Sequence, residues 1–119
     1  MWRFWQGIPH GEAVSWANVP AVVYFIQSGE DGPIKIGWTS TGNPWGRCAA
    51  LQTGSPEELE VVGFFVGPQS EERRLHEKFA EHRIRGEWFA PVHDLKVEIG
   101  RSLILLRHAV EIAEMMGEE

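Results

Sequence analysis

The residues best suited to chemistry stand on one predicted helix in the second half of the chain. At about 100° per residue, Glu72, His76 and Arg83 fall on one stripe. Leu75 and Phe79 share that stripe and must face the core, so the charged groups border buried surface. Charges there need a partner such as an ion, a metal or a phosphate. Spacing alone favours a plainer interpretation, in which Glu72 is a first-turn helix charge and His76 a satisfied boundary residue.

Three further side chains could take part in polar chemistry, each with an ordinary structural alternative. Tyr24 is the chain's single tyrosine and lies within the apolar run AVVYFIQ, so its hydroxyl needs a partner or an opening to solvent. The residue pattern alone favours the plainer interpretation, a core tyrosine at a sheet edge. Lys35 alternates with apolar residues in IKIG and could simply face solvent. Arg47, in a short predicted helix, could be a surface residue.

These side chains must be positioned by an α+β domain. The sequence predicts a hairpin with a loop of five or six residues, then helices interleaved with further short extended segments. Its sheet is expected to be small and antiparallel, with three strands flanked by helices and an added C-terminal helix. The predicted strands are Ala21–Gln27, Ile34–Gly37 and Leu59–Val66; the predicted helices run from Asn43-Pro44 to Thr53-Gly54, from a Ser70 cap to about Arg83, and onward from Pro91.

The last segment permits two interpretations. Apolar residues from Val92 recur at spacings of three and four, which is typical of an amphipathic helix. Gly100 weakens that prediction, and a strand over Leu95–Ile99 with a helix from Ser102 is the alternative. We expect one domain, with an irregular aromatic arm over residues 1–20, the main unit over 21–91 and a helical extension over 92–119 packed on it.

Composition excludes several classes of protein. The chain has 119 residues and a formal net charge of −6, which argues against coating nucleic acid by charge alone. One cysteine, Cys48, excludes a disulfide framework and a four-cysteine zinc site. No apolar run approaches the ~20 residues of a membrane span. With no secretory signal recognisable, we expect a cytoplasmic location and no membrane partner.

The order of several motifs resembles the GIY-YIG endonuclease superfamily. Val23-Tyr24-Phe25-Ile26 is similar to its first motif, and Ile34-Lys35-Ile36-Gly37 to the second motif of a small phage and bacterial branch that reads KIG. Glu72-Arg73-Arg74-Leu75-His76 and, further on, Gly86-Glu87-Trp88-Phe89 are similar to later motifs of that branch. The resemblance covers roughly Val22 to Pro91.

The resemblance implies metal-dependent cleavage of a DNA phosphodiester bond. It gives Tyr24 the task of positioning or deprotonating the attacking water, Arg47 contact with the scissile phosphate, and Glu72 the metal ion, Mg²⁺ or Mn²⁺. Lys35 is expected to bind phosphate or assist the water, and His76 to belong to the catalytic group. Such an ion takes oxygen ligands and often a single carboxylate, and arginine offers phosphate a fixed fork of donors.

The sequence therefore predicts a nuclease with a phage, mobile-element or repair role left open. The alternative is a non-catalytic module that keeps the fold to bind nucleic acid or a partner protein. The one net-positive stretch, Gln69–Arg85, has five basic and four acidic residues, so we expect weak DNA binding through Arg73, Arg74 and Lys78. Targeting is then expected from a partner, a homodimer or a distorted substrate, with the aromatic arm available to stack on unpaired bases.

Overall fold

The computed structural model describes residues 21–40 and 44–102. In chain order, β1 (Val22–Ser28) and β2 (Ile34–Thr39) precede α1 (Pro44–Gln52), β3 (Leu59–Val66) and α2 (Gln69–Lys78). A 3₁₀ turn, Ala80–His82, leads into β4 (Arg83–Arg85) and β5 (Trp88–Phe89). Residues 93–102 form a further helix, α3. The predicted arm over residues 1–20, the Asn43 cap and most of the C-terminal extension lie outside the described residues.

The fold is α+β, but its sheet has five strands, so the prediction of three was wrong. The strand order is β3-β1-β2-β5-β4, and every pairing is antiparallel. β4, which was not predicted, has three residues, and β5, which was predicted only as a short extended piece over Glu87-Trp88-Phe89 and not as part of the sheet, has two. Such strands are too short to show a period, and β4 is exposed along its whole length. Gly86 turns the chain between them with φ +56°, a conformation that favours glycine.

The helices differ from their predictions mainly at their ends. The second helix ends at Lys78 and not near Arg83, because the chain turns at Ala80–His82 into β4. Pro68 occupies the position before its first residue, and no side chain caps it, so the predicted Ser70 cap was wrong. Residues 95–99 are helical, which excludes the alternative strand there.

Each face of the sheet carries its own helices. β1 pairs with β2 and β3 so that Tyr24 lies opposite Gly37 and Phe64, and directly opposed residues share a face. α1 covers this face, since Trp45 meets Phe64 edge-on with ring centroids 5.3 Å apart. On the other face, Phe89 pairs with Ile34 and contacts His76 of α2.

The core is formed by both faces of the sheet and the buried sides of the helices. Tyr24 belongs to it, being 1% exposed, so the expectation of a buried strand there is confirmed. Among the described residues, no helix is long and apolar enough to cross a membrane. The buried residues include all of β1 from Val22 to Gln27, together with Ile34, Ile36, Leu59, Val61, Val62, Phe64, Leu75, Phe79, Phe89, Leu95 and Ile99.

Candidate functional site

The Tyr24 ring reaches across the neighbouring strand, and Gly37 makes this possible. A Cβ atom at Gly37 would lie 2.5 Å from the Tyr24 hydroxyl oxygen and closer still to Cζ. The hydroxyl is therefore held directly above the β2 backbone. This contact explains why glycine follows Lys35-Ile36 in the second strand, because any larger residue would occupy the space of the ring.

Lys35 lies two residues before Gly37 on the same face of β2 and forms a salt bridge with Glu87. The lysine side chain is 13% exposed and that of Glu87 is 42% exposed. Glu87 lies in the turn between β4 and β5, and its backbone oxygen accepts a hydrogen bond from Ile36. Glu87 thus pairs with neither Arg83 nor Arg85, the two partners that sequence proximity would suggest.

Glu72, in the first turn of α2, is only 8% exposed. Burial raises the pKa of its carboxyl above the ordinary value, and the Glu87 carboxylate raises that pKa further. His76, Lys35 and Arg73 lower it, but less than burial and Glu87 together raise it. Within the described ranges, no hydrogen bond or salt bridge is formed by the Glu72 carboxylate. It is a buried acid next to a second acid, which is a natural position for a cation.

His76 is held by both of its ring nitrogens. Nε2 donates to the Ile36 carbonyl at 2.9 Å, which leaves Nδ1 to accept from the Arg83 guanidinium at 3.4 Å. β5 pairs with β2 only beside Ile34 and Lys35, so the Ile36 carbonyl needs another donor. His76 supplies it through the N–H group at Nε2. These contacts favour a positioning task for His76, and its predicted catalytic task stays a prediction.

Arg47 lies apart from these groups, exposed on α1. α1 covers the face of the sheet that carries Tyr24 and Lys35, but no hydrogen bond or salt bridge links Arg47 to the described part of the chain. Its guanidinium is accessible to a ligand. The predicted contact with phosphate stays a prediction.

The three predicted nucleic-acid-binding residues differ in their surroundings. Arg74 is 3.3 Å from Glu71 and 3.9 Å from Glu98. Lys78 donates to Glu98 at 2.9 Å. Arg73 is exposed, and its one described effect is to lower the pKa of Glu72. Two of the three cations are therefore already balanced by carboxylates.

The donor set decides which metal could bind here. Among the residues that the structure describes, no group of three or more His, Cys, Asp or Glu side chains is arranged to hold a metal ion. A structural zinc site needs about four such ligands. Magnesium requires less, because it keeps several waters and takes one or two carboxylates together with substrate phosphate. Glu72, with Glu87 nearby, fits that second pattern.

Cys48 offers no alternative chemistry. It is 8% exposed, and burial, with a smaller effect from Glu60, raises the pKa of its thiol. A buried thiol with a raised pKa is a poor nucleophile and a poor metal ligand.

Sequence reasoning named Tyr24, Lys35, Glu72 and His76 as candidates but missed the tertiary contacts of Lys35 and His76. Glu87 is separated from Lys35 by 52 residues, and no local pattern signals such a pair. The one sequence signal for the site's geometry was Gly37, two residues beyond Lys35 in a strand where glycine is otherwise unfavourable.

The family of the chain follows from comparison with known proteins. The model of the T5orf172 domain matches residues 21–109, which is more than half of the chain. The chain belongs to the T5orf172 domain family. This is a phage-associated domain family. The match begins one residue before β1 and includes every described element.

This result corrects the family resemblance. No GIY-YIG family model matches the chain, so the assignment to that superfamily was wrong. The first two motifs of the resemblance consist largely of β-branched and aromatic residues, which are typical of a buried hairpin in any family. Comparison with curated proteins and with solved structures gave no match. The predicted residue roles therefore depend on the geometry of the site.

Proposed function

We propose that this T5orf172 domain is a divalent-metal-dependent endonuclease that hydrolyses phosphodiester bonds in DNA. The observation that carries the proposal is the buried Glu72 carboxylate, beside Glu87 and Lys35. A carboxylate kept in such surroundings costs stability. Metal binding would offset that cost, because a cation favours the charged form of both acids.

In this proposal Glu72 would hold the ion, which is Mg²⁺ or Mn²⁺, and Glu87, whose charge acts on the Glu72 carboxyl, would be the candidate for a second oxygen ligand. The bound ion would supply charge stabilisation for the phosphate oxygens in the transition state. The low exposure of Glu72 keeps its charge poorly screened by water, which strengthens its attraction for a cation.

Tyr24 would orient the attacking water. Its hydroxyl oxygen is fixed above Gly37 and can accept a hydrogen bond from water. A new bond would join the water oxygen to phosphorus while the bond from phosphorus to the leaving deoxyribose oxygen breaks. The attacking water releases one proton to solvent, and the leaving oxygen takes one from solvent. Fixing the water in this way lowers the entropic cost of attack.

Lys35 and Arg47 would contact the phosphate. The Lys35 ammonium has three donors, so the bond to Glu87 leaves two for phosphate oxygens. Arg47 is accessible on the helix that covers the same face of the sheet, and its guanidinium can bind a phosphate with two parallel hydrogen bonds.

Plasmid nicking by purified protein tests the proposal directly. Wild type should nick supercoiled DNA with Mg²⁺ or Mn²⁺ and not with EDTA. Glu72→Gln, which keeps the side-chain shape and removes the charge, should lower the rate at least ~100-fold, as loss of a metal's charge stabilisation implies. Its melting temperature should be unchanged or higher, because the variant no longer buries a charged carboxylate.

Glu77→Gln is the matched control, since Glu77 is an exposed acid of the same helix. It changes the net charge equally and should leave nicking unaltered. Full activity of Glu72→Gln would contradict the metal assignment. A folded wild type without metal-dependent cleavage of plasmid or branched DNA would contradict the enzyme.

A folded wild type that does not cleave DNA would favour a non-catalytic nucleic-acid-binding or protein-interaction module. The observation supporting this rival is the pairing of Lys35 with Glu87, together with the absence of a three-ligand metal group among residues 21–40 and 44–102. DNA binding without cleavage, unaltered by Glu72→Gln, would distinguish it from the enzyme.

A further inference from the structure

Arginines on the β4–β5 hairpin occupy a position that the sequence did not reveal. β4 is the edge strand of the sheet, and Arg83, Ile84 and Arg85 are all exposed. Charged residues on an edge strand discourage pairing with other chains, but that purpose does not require both charges to be arginine or to be placed beside a candidate site.

A register shift sends the two arginines to opposite faces of the sheet. Arg83 pairs with Phe89 and Arg85 pairs with Trp88, with the irregularity between them at Ile84. Because Phe89 and Trp88 are adjacent in sequence, they lie on opposite faces. Arg83 lies on the same face as Phe89, and its guanidinium is 5.4 Å from the centre of that ring. Arg85 lies on the same face as Trp88, and Trp88 lies on the same face as Lys35. Without the shift, both arginines would lie on the Phe89 face.

Arg85 therefore completes a row across the sheet on the Tyr24 face. The row runs from Lys35 through Trp88 to Arg85, each directly opposite the next. Adjacent strands are ~4.8 Å apart, so Arg85 is about 10 Å from Lys35. That separation is two to three nucleotides along a strand of DNA, at ~3.4 Å each.

The charge of Arg85 is also accessible. It forms no hydrogen bond or salt bridge with any described residue, and the nearest acid of the hairpin, Glu87, is paired with Lys35. Arg74 and Lys78 on α2 are instead balanced by Glu71 and Glu98. An accessible cation beside the site attracts a polyanion more strongly than a paired one.

We propose that Arg85 binds a DNA backbone phosphate that flanks the one held near Lys35, so that nucleic acid crosses the sheet along this row. The inference deepens the proposed function and rests on it for the position of the central phosphate. The occupant is nucleic acid because the row combines two cations with the half-buried Trp88 ring between them. Phosphate contacts of this kind fix the register of DNA without reading sequence.

DNA affinity measured by fluorescence anisotropy tests this inference. The Glu72→Gln background prevents cleavage, and a labelled duplex is titrated in EDTA over a salt series. Arg85→Ala should weaken binding about threefold to tenfold and lower the salt slope by ~0.9, the value for one lost phosphate contact. Arg85→Lys should retain most of the affinity. Arg74→Ala should cost less than Arg85→Ala.

Arg101→Ala is the matched control, since Arg101 is an exposed arginine on α3 and should leave binding unchanged. An Arg85→Ala variant that binds like the control would overturn the inference, as would a larger loss for Arg74→Ala. The measurement needs neither metal nor cleavage. A weakened Arg85→Ala in a protein that cannot cut DNA would therefore refute only the proposed function, and an unaffected one in an active nuclease only the inference.

Discussion

The two faces of β2 differ in what their side chains can do. On one face, Ile34 and Ile36 are fully buried and join the apolar core with Phe89. On the other, Lys35 pairs with Glu87, and Gly37 makes room for the Tyr24 ring. Alternation along one strand thus separates packing from chemistry. The core face holds the strand rigid, and that rigidity fixes the polar groups on the opposite face.

The largest expected effect concerns Arg47, which tests whether the polar face extends onto α1. Arg47→Lys keeps the charge but loses the planar fork of donors. If Arg47 contacts the scissile phosphate, cleavage should fall by about 100-fold, the scale of losing one oriented charge-stabilising donor. DNA affinity should fall much less, and nicking rates beside anisotropy measure both.

Arg101→Lys is the control for this change, because that arginine is exposed on α3. Equal rates for the Arg47→Lys variant and the control would restrict the candidate site to residues of the strands and of α2. Arg47 would then be an ordinary surface residue, as its lack of bonds within the described chain permits.

A smaller effect, on stability, should follow from adding a methyl group to one face of β2 or removing one from the other face. Gly37→Ala inserts a Cβ atom into the space of the Tyr24 ring, so the ring must move. Overpacking of this kind costs about 1–3 kcal/mol. Ile36→Val removes a methyl from the core face and should cost about 0.5–1.5 kcal/mol. Urea unfolding gives both values.

Activity should separate these variants more clearly than stability does. Gly37→Ala moves the hydroxyl that we propose orients water, so its nicking rate should fall beyond what lost stability explains, whereas Ile36→Val should cut normally. Gly54→Ala is the control, since a Cβ atom there meets nothing within 4 Å. Equal activity in the Gly37→Ala and Ile36→Val variants would remove Tyr24 from the mechanism.

The sequence predicted those secondary-structure elements whose signal lies in residues close together along the chain. The first hairpin was predictable because its strands are apolar and its loop, residues 29–33, is rich in turn formers. β3 was predicted with its observed bounds, Leu59–Val66, for the same reason. β4 was missed, and β5 was predicted only as a short extended piece, because pairing of β5 with β2 and of β4 with β5, not their own composition, adds them to the sheet.

The candidate site followed the same rule. Glu72 and His76 could be named as candidates because helical spacing places them near buried Leu75, which is a local property. The partners of Lys35 and His76 were not found, because Glu87 and Arg83 meet them through tertiary structure. Arg83 illustrates this well. It was placed on the stripe of a helix, yet it reaches His76 from the start of a strand.

The smallest expected effect concerns the pH dependence of stability, which depends on Glu72. Burial, and then Glu87, raise its pKa above 4.5 in the folded protein. Between 4.5 and that raised value, the folded chain binds more protons than the unfolded chain, so this group makes stability fall as pH rises. The Glu72→Gln variant has no ionisable carboxyl at this position, so its stability does not fall for this reason as the pH rises. Its free energy of unfolding, minus that of wild type, should therefore increase from below pH 4.5 to above the raised pKa and then level off.

Urea unfolding at a series of pH values in EDTA measures the difference, with exposed Glu77→Gln expected to give a nearly flat line. Adding Mg²⁺ above the raised pKa should narrow the gap by stabilising the wild type alone. A difference that is constant with pH and unaltered by Mg²⁺ would mean that Glu72 is neither destabilised by burial nor bound to a cation, and the proposed metal site would then be wrong.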